Sequence, residues 1–135
     1  MAFTGNYTCN SFKSGLIDGD FDFDTDTFKI ALYTNSASLN ADTSAYTSTG
    51  EVSASGYTAG GNTLTVTKGI TSGTAYITFA DTSWSSALTA RGALIYKDGG
   101  GAICVLDFGS DKTSTTTFTV DFPVASSTDA LIRLS

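Results

Sequence analysis

Asp26-Thr27-Phe28-Lys29-Ile30-Ala31-Leu32-Tyr33-Thr34 is the stretch on which the reading of the fold turns. Phe28, Ile30 and Leu32 fall on one face of an extended chain, and Lys29, Ala31 and Tyr33 on the other. A period of two predicts a half-buried β-strand. Just upstream, Asp18, Asp20, Asp22, Asp24 and Asp26 alternate with Gly19, Phe21, Phe23 and Thr25. Even positions are thus acidic up to Asp26 and apolar from Phe28 onward. A single flat strand would bury five carboxylates, so a bend or bulge is expected near Asp24–Thr27. The bend divides an N-terminal arm, residues 1–24, from a β-domain, residues 25–135. The arm is expected to lie outside the core sheet.

Working outward, residues 9–17 suit one short helix, with Asn10 as N-cap and Phe12 and Leu16 on one face. Residues 35–50, rich in Ser, Thr, Ala and Asn, read as a long surface loop with Leu39 and Tyr46 as apolar anchors. Leu64 and Val66 begin a new alternation, and Ala75, Ile77 and Phe79 continue it beyond Gly69 and Gly73. Residues 88–96 are apolar on both faces after Arg91 and predict a central strand. Asp98-Gly99-Gly100-Gly101 predicts a hairpin into Ala102–Phe108, and Gly109–Lys112 a further turn. Phe118, Val120 and Phe122, closed by Pro123, and Ala130, Ile132 and Leu134 complete the pattern. Seven or eight short strands and one N-terminal helix predict an all-β, antiparallel, jelly-roll-like sandwich.

Length and charge narrow the chemistry. Surface scaling for 14.0 kDa gives about 6,700 Å² exposed when folded against roughly 20,300 Å² unfolded, enough burial for a core without staples. Cys9 and Cys104 stand far apart, and Cys104 lies in the apolar run Ile103–Leu106, so both read as small buried hydrophobes rather than a bridge. A net charge of −6 repels phosphate backbones, so no nucleic-acid partner is expected. No apolar run approaches the ~20 residues of a membrane span, and the N-terminal residues do not read as a signal peptide. The expected place of synthesis is the cytoplasm. Histidine is absent, which removes the usual base for a nucleophile and the commonest transition-metal ligand.

The acidic arm resembles a calcium loop only in part. Counted from Asp18 or Asp20, its sixth position is Phe23 or Thr25 instead of glycine, and its twelfth is Lys29 or Ala31 instead of glutamate. An exposed acidic edge, or one facing a partner's basic residues, is the expectation, with no metal or cofactor. Asp107 and Asp121 are the carboxylates to consider for a glycosidase pair, although solvated outward-facing aspartates are commoner. Gly56–Gly61 has no Gly-Lys-Ser/Thr and reads as a turn. Trp84, in a polar segment, suits either an interface or sugar-stacking role or a place flat over a sheet end. Phe3, Tyr7, Phe12, Phe21 and Phe23 are too many aromatics for a free tail and, with Trp84, are the expected partner-binding residues.

Asp24–Thr34, Tyr46, Gly50-Glu51 and Gly56–Gly61, followed by Ala90-Arg91-Gly92-Ala93-Leu94-Ile95-Tyr96 and Leu106–Asp111, occur in an order that resembles a group of small virion structural proteins of tailed bacteriophages. Some members are cement, or decoration, proteins that lock the outside of the capsid. The resemblance runs from about Phe23 to the C-terminus and implies a non-enzymatic chain on the capsid exterior. It would be bound to the major capsid protein and paired as a homodimer or higher homo-oligomer. The alternative is a carbohydrate- or receptor-binding module of a phage tail, with Trp84 or Tyr57 as a sugar platform.

Overall fold

A computed structural model describes residues 3–135. The elements are β1 (Tyr7–Thr8), α1 (Asn10–Asp18), β2 (Phe28–Tyr33), β3 (Asn62–Thr63), β4 (Val66–Thr71), β5 (Thr74–Phe79), β6 (Thr82–Trp84), β7 (Thr89–Lys97), β8 (Ala102–Thr113), β9 (Phe118–Val120) and β10 (Ile132–Leu134). The chain is therefore all-β and antiparallel with one helix, as its periodicity predicts. Among the described residues ten strands form where seven or eight were expected, because β1, β3 and β6 are pairings of only two or three residues. A five-stranded sheet in the order β1-β8-β7-β2-β3 is accompanied by β10-β5-β4 and by the pair β6-β9.

β2 is buried on both faces, not one. Phe28, Ile30 and Leu32 pack with Ile95, Ile103, Phe79 and Trp84 on the side of the two smaller sheets. Ala31 and Tyr33 pack on the other side with Leu94, Tyr96 and Val105, under a cover made by Phe3, Cys9, Ala37 and Leu39. Irregularly spaced residues of a loop and a terminus supply that cover, so a local period could not reveal it. The exposed surface, 6701 Å², agrees with the scaling for a fully packed single domain.

The arm corrects its expectation. β1 pairs with β8, Tyr7 opposite Val105 and Thr8 opposite Cys104, so the arm supplies an edge strand of the main sheet. Cys9, not Asn10, is the N-cap, and it makes no side-chain capping bond. Its backbone N–H instead donates to the Ile103 carbonyl, tying the helix start to β8. Gly15 weakens α1 intrinsically but is required by packing: a Cβ there would meet the Phe21 ring at 2.4 Å. Gly19, in the left-handed region, ends the helix.

The predicted bend is a turn over residues 22–26. Asp24 N–H donates to the Asp22 carboxylate, Asp22 N–H to that of Asp26, and Asp26 N–H to the Asp22 carbonyl. The β7–β8 hairpin turns through Asp98–Gly101 as expected, with Gly100 N–H bonded to the Lys97 carbonyl. β8, however, does not stop at Gly109–Lys112. Its pairing jumps from Asp107 opposite Gly92 to Lys112 opposite Ala90, so the predicted turn is a bulge within a strand that continues to Thr113.

Candidate functional site

The residues expected to bind a partner are mostly spent on the chain's own core. Phe3, Phe12 and Trp84 are buried. Phe21 and Phe23 are half-buried and close over Phe12 with ring centroids at 5.1 and 6.1 Å, and Phe23 stacks on Phe28 at 4.6 Å. Tyr7, also half-buried, shares a 2.5 Å hydrogen bond with Thr4. Much of the apolar surface of these side chains is thus covered within the chain, because the arm folds back onto its own sheet. Trp84 packs between Tyr57 and Phe118, and its indole N–H has no hydrogen-bond partner among the described residues. It presents no face to a sugar.

The acidic arm meets basic residues, but they belong to the same chain. Lys68 Nζ lies 2.8 Å from Asp24 Oδ1, and Lys97 Nζ 3.1 Å from Asp26 Oδ2. Lys97 also donates to the Asp20 carbonyl at 2.6 Å. The Asp24 N–H, with the Thr25 hydroxyl, holds the Asp22 carboxyl below the usual carboxylate range. The Asp22 N–H, with Lys97, does the same for Asp26. Among the described residues no group of three or more His, Cys, Asp or Glu side chains is gathered as a metal site.

Asp107 and Asp121 sit in different settings, one ion-paired within a strand and the other exposed beyond one. Asp107, on β8, accepts from Arg91 Nε at 2.9 Å, and this guanidinium, followed by the Gly109 N–H, lowers its pKa. Asp121 lies exposed just beyond β9. An ion-paired carboxylate with a lowered pKa is poorly suited to give up a proton as a general acid. Cys9 and Cys104 are buried free thiols, as expected.

Sequence reasoning missed the polar cluster around Glu51. Its carboxylate accepts from the Tyr46 hydroxyl at 2.5 Å, the Tyr57 hydroxyl at 2.7 Å and the Gly60 N–H at 2.8 Å. The Tyr57 oxygen in turn accepts from the Leu32 N–H, and the Tyr96 hydroxyl donates to the Gly60 carbonyl. Burial, followed by the bond to Glu51, pushes the Tyr46 phenol up to about 12 and that of Tyr57 higher still. Gly61 cannot carry a side chain, since a Cβ would fall 1.7 Å from the Ile30 carbonyl oxygen. Tyr46, Gly50-Glu51 and Gly56–Gly61 are thus one knot clamping the long loop to β2. The Gly and Tyr residues of this segment were the available signal in the sequence, and here their role is structural.

One exposed apolar surface beside an unpaired strand edge lies on the sheet β10-β5-β4. Val66, Phe79, Ile77 and Ile132 share its inner face and pack against the core. The same face runs on through Ile70, Ala75 and Leu134, where no core lies beneath. Ile70 is 71% exposed and Leu134 52%, around an open hollow of about 370 Å³ that Tyr76 and Ile77 also line. β4 is the edge of this sheet. The hairpin turns through Ser72 and Gly73, both at positive φ, as a two-residue turn between twisted strands requires. Comparison with family models, curated proteins and solved structures finds no match for the chain.

Proposed function

We propose that this chain is a non-enzymatic virion structural protein, a cement or decoration protein that binds the outer capsid surface of a tailed phage and stabilises the shell. The observation that carries the reading is the overhanging sheet: an unpaired edge strand beside a bare apolar face, on a body whose other aromatics are used internally. Edges and bare faces of this kind are where neighbouring subunits attach. The resemblance of its ordered motifs to those of small phage virion proteins supports the same reading. The arm aromatics, packed on the chain's own sheet, are not the attachment surface in this reading. The chain's neighbours on the shell would be the major capsid protein and further copies of itself.

The test is co-sedimentation of the purified chain with shells lacking their native decoration, together with its position in an electron-microscopy map of the assembled particle. Saturable binding and density on the capsid exterior are expected. An intact chain that never binds shells, or density at the tail, overturns the reading. A tail module would have lost Trp84 and Tyr57 as platforms. It would have to use the groove of about 670 Å³ along Thr113–Asp121, beside Phe108 and Phe118. Saccharide binding abolished by Phe108→Ala would favour it.

A further inference from the structure

Four features of β4 say what its free edge is shaped to accept. The first is the direction of its backbone groups. Thr71 faces Thr74 across the two-residue turn, so Thr67, Gly69 and Thr71 exchange backbone bonds with β5. Val66, Lys68 and Ile70 then point their N–H and C=O groups outward, and among the described residues none of the three makes a backbone bond elsewhere.

The second is charge. The chain carries thirteen acids, yet none lies between Glu51 and Asp81, and Lys68 is the one basic residue in that interval. In a molecule of net charge −6, this hairpin brings no carboxylate of its own to a second copy, and the Asp24 beside it is already paired with Lys68.

The third is register. Two β4 edges related by a two-fold axis normal to the sheet keep their faces matched only if the paired residue numbers sum to an even value. Centring the axis on Gly69 places Lys68 opposite Ile70 of the second copy, and Thr67 opposite Thr71. No like charges then face each other, the exposed Ile70 lies along the aliphatic stem of a lysine, and two threonine pairs form. Centring it on Lys68 would instead oppose two ammonium groups.

The fourth is the glycine itself. A Cβ at Gly69 would lie 2.6 Å from the Tyr76 hydroxyl and 2.9 Å from its ring, so Tyr76 occupies the space above Gly69. At the axis two glycines would meet as a close, non-hydrogen-bonded pair, each roofed by its own tyrosine.

We infer that β4 pairs antiparallel with β4 of a second copy, about an axis at Gly69, giving a six-stranded sheet β10-β5-β4-β4-β5-β10 across a homodimer. The inference rests on the cement reading only in supplying the partner for one of its attachment edges. Free protein should show a concentration-dependent monomer–dimer equilibrium by sedimentation. Thr67→Cys and Thr71→Cys chains, mixed under a mild oxidant, should cross-link to each other, since that pair would sit about 4.5 Å apart at Cα, within disulfide range. Neither variant should cross-link with itself.

Ile70→Pro removes an outward N–H without touching the bonds to β5, and should raise the dimer dissociation constant at least ~tenfold with an unchanged far-ultraviolet spectrum. Self-cross-linking of either cysteine variant, or an undiminished dimer in Ile70→Pro, overturns the arrangement. So does a chain that stays monomeric up to millimolar concentration without mixed cross-links. Co-sedimentation with shells separates the two ideas. A monomer that decorates shells defeats the dimer alone, whereas a dimer that ignores shells defeats the cement reading alone.

Discussion

Glu51 accepts from Tyr46, Tyr57 and the Gly60 N–H, so removing its carboxylate strands three donors at once. Glu51→Ala is expected to lower unfolding free energy by roughly 2–4 kcal/mol in urea titration, allowing for partial rescue by water. Glu51→Gln, which keeps an acceptor oxygen, should cost less than half as much, and equal losses would show the carboxylate is not the hub. The reason this residue was not legible lies in its setting. Its partners come from a loop without period, five to nine residues away, and a carboxylate among serines and threonines looks solvated. Thiol chemistry is simpler at this scale. Burial pushes the Cys9 thiol up to about 11 and that of Cys104 further. Both should resist a thiol reagent in native protein and react fully after denaturation without reductant. Recovery of no free thiol would establish a bridge.

At the scale of elements, the parity flip put a bend near Asp24–Thr27, which the turn found over Asp22–Asp26 overlaps because a turn is dictated by adjacent residues. It said nothing about where the arm goes, because that depends on β8, some hundred residues away, and on a glycine that admits a ring. A Cβ on Gly92 would sit 2.5 Å from the Phe3 ring, as one on Gly15 would meet Phe21. These two aromatics are keyed to gaps in β7 and α1. Deleting the first 23 residues is therefore expected to unfold the chain and not to leave an intact β-domain. Phe12→Ala alone should cost about 3–5 kcal/mol. A truncated chain with a native melt would restore the view of the arm as separate. In the β4–β5 hairpin, Ser72 sits at φ 52°, a region asparagine tolerates better, so Ser72→Asn should stabilise by about 0.5 kcal/mol.

For the whole molecule, stability should depend on pH chiefly at the alkaline end. Tyr46 and Tyr96 are raised from 10.0 to about 12, mainly by burial, and Cys9 from 9.0 to about 11. Folding thus retains protons that the unfolded chain releases. Their contribution is complete below about pH 9 and is lost as pH climbs through 9 to 12. The urea midpoint should fall steeply over that window, and a flat profile would contradict the burial of the tyrosines. Calcium at millimolar concentration should leave the thermal unfolding midpoint unchanged. A rise of several degrees abolished by Asp22→Asn would mean the turn does hold the ion.

The pairing of Tyr7 with Val105 and Thr8 with Cys104 also sets a schedule. A ribosome adding about 5–20 residues per second needs roughly 5–20 s to travel from one partner to the other. Through that interval Phe3 and Phe12 have no β8 to cover them, and β2 lacks both β7 and the lid that Phe3 helps to form. Folding can finish only when nearly the whole chain has emerged. During synthesis its most apolar segments therefore stay uncovered, and the nascent chain is most open to aggregation until β8 arrives.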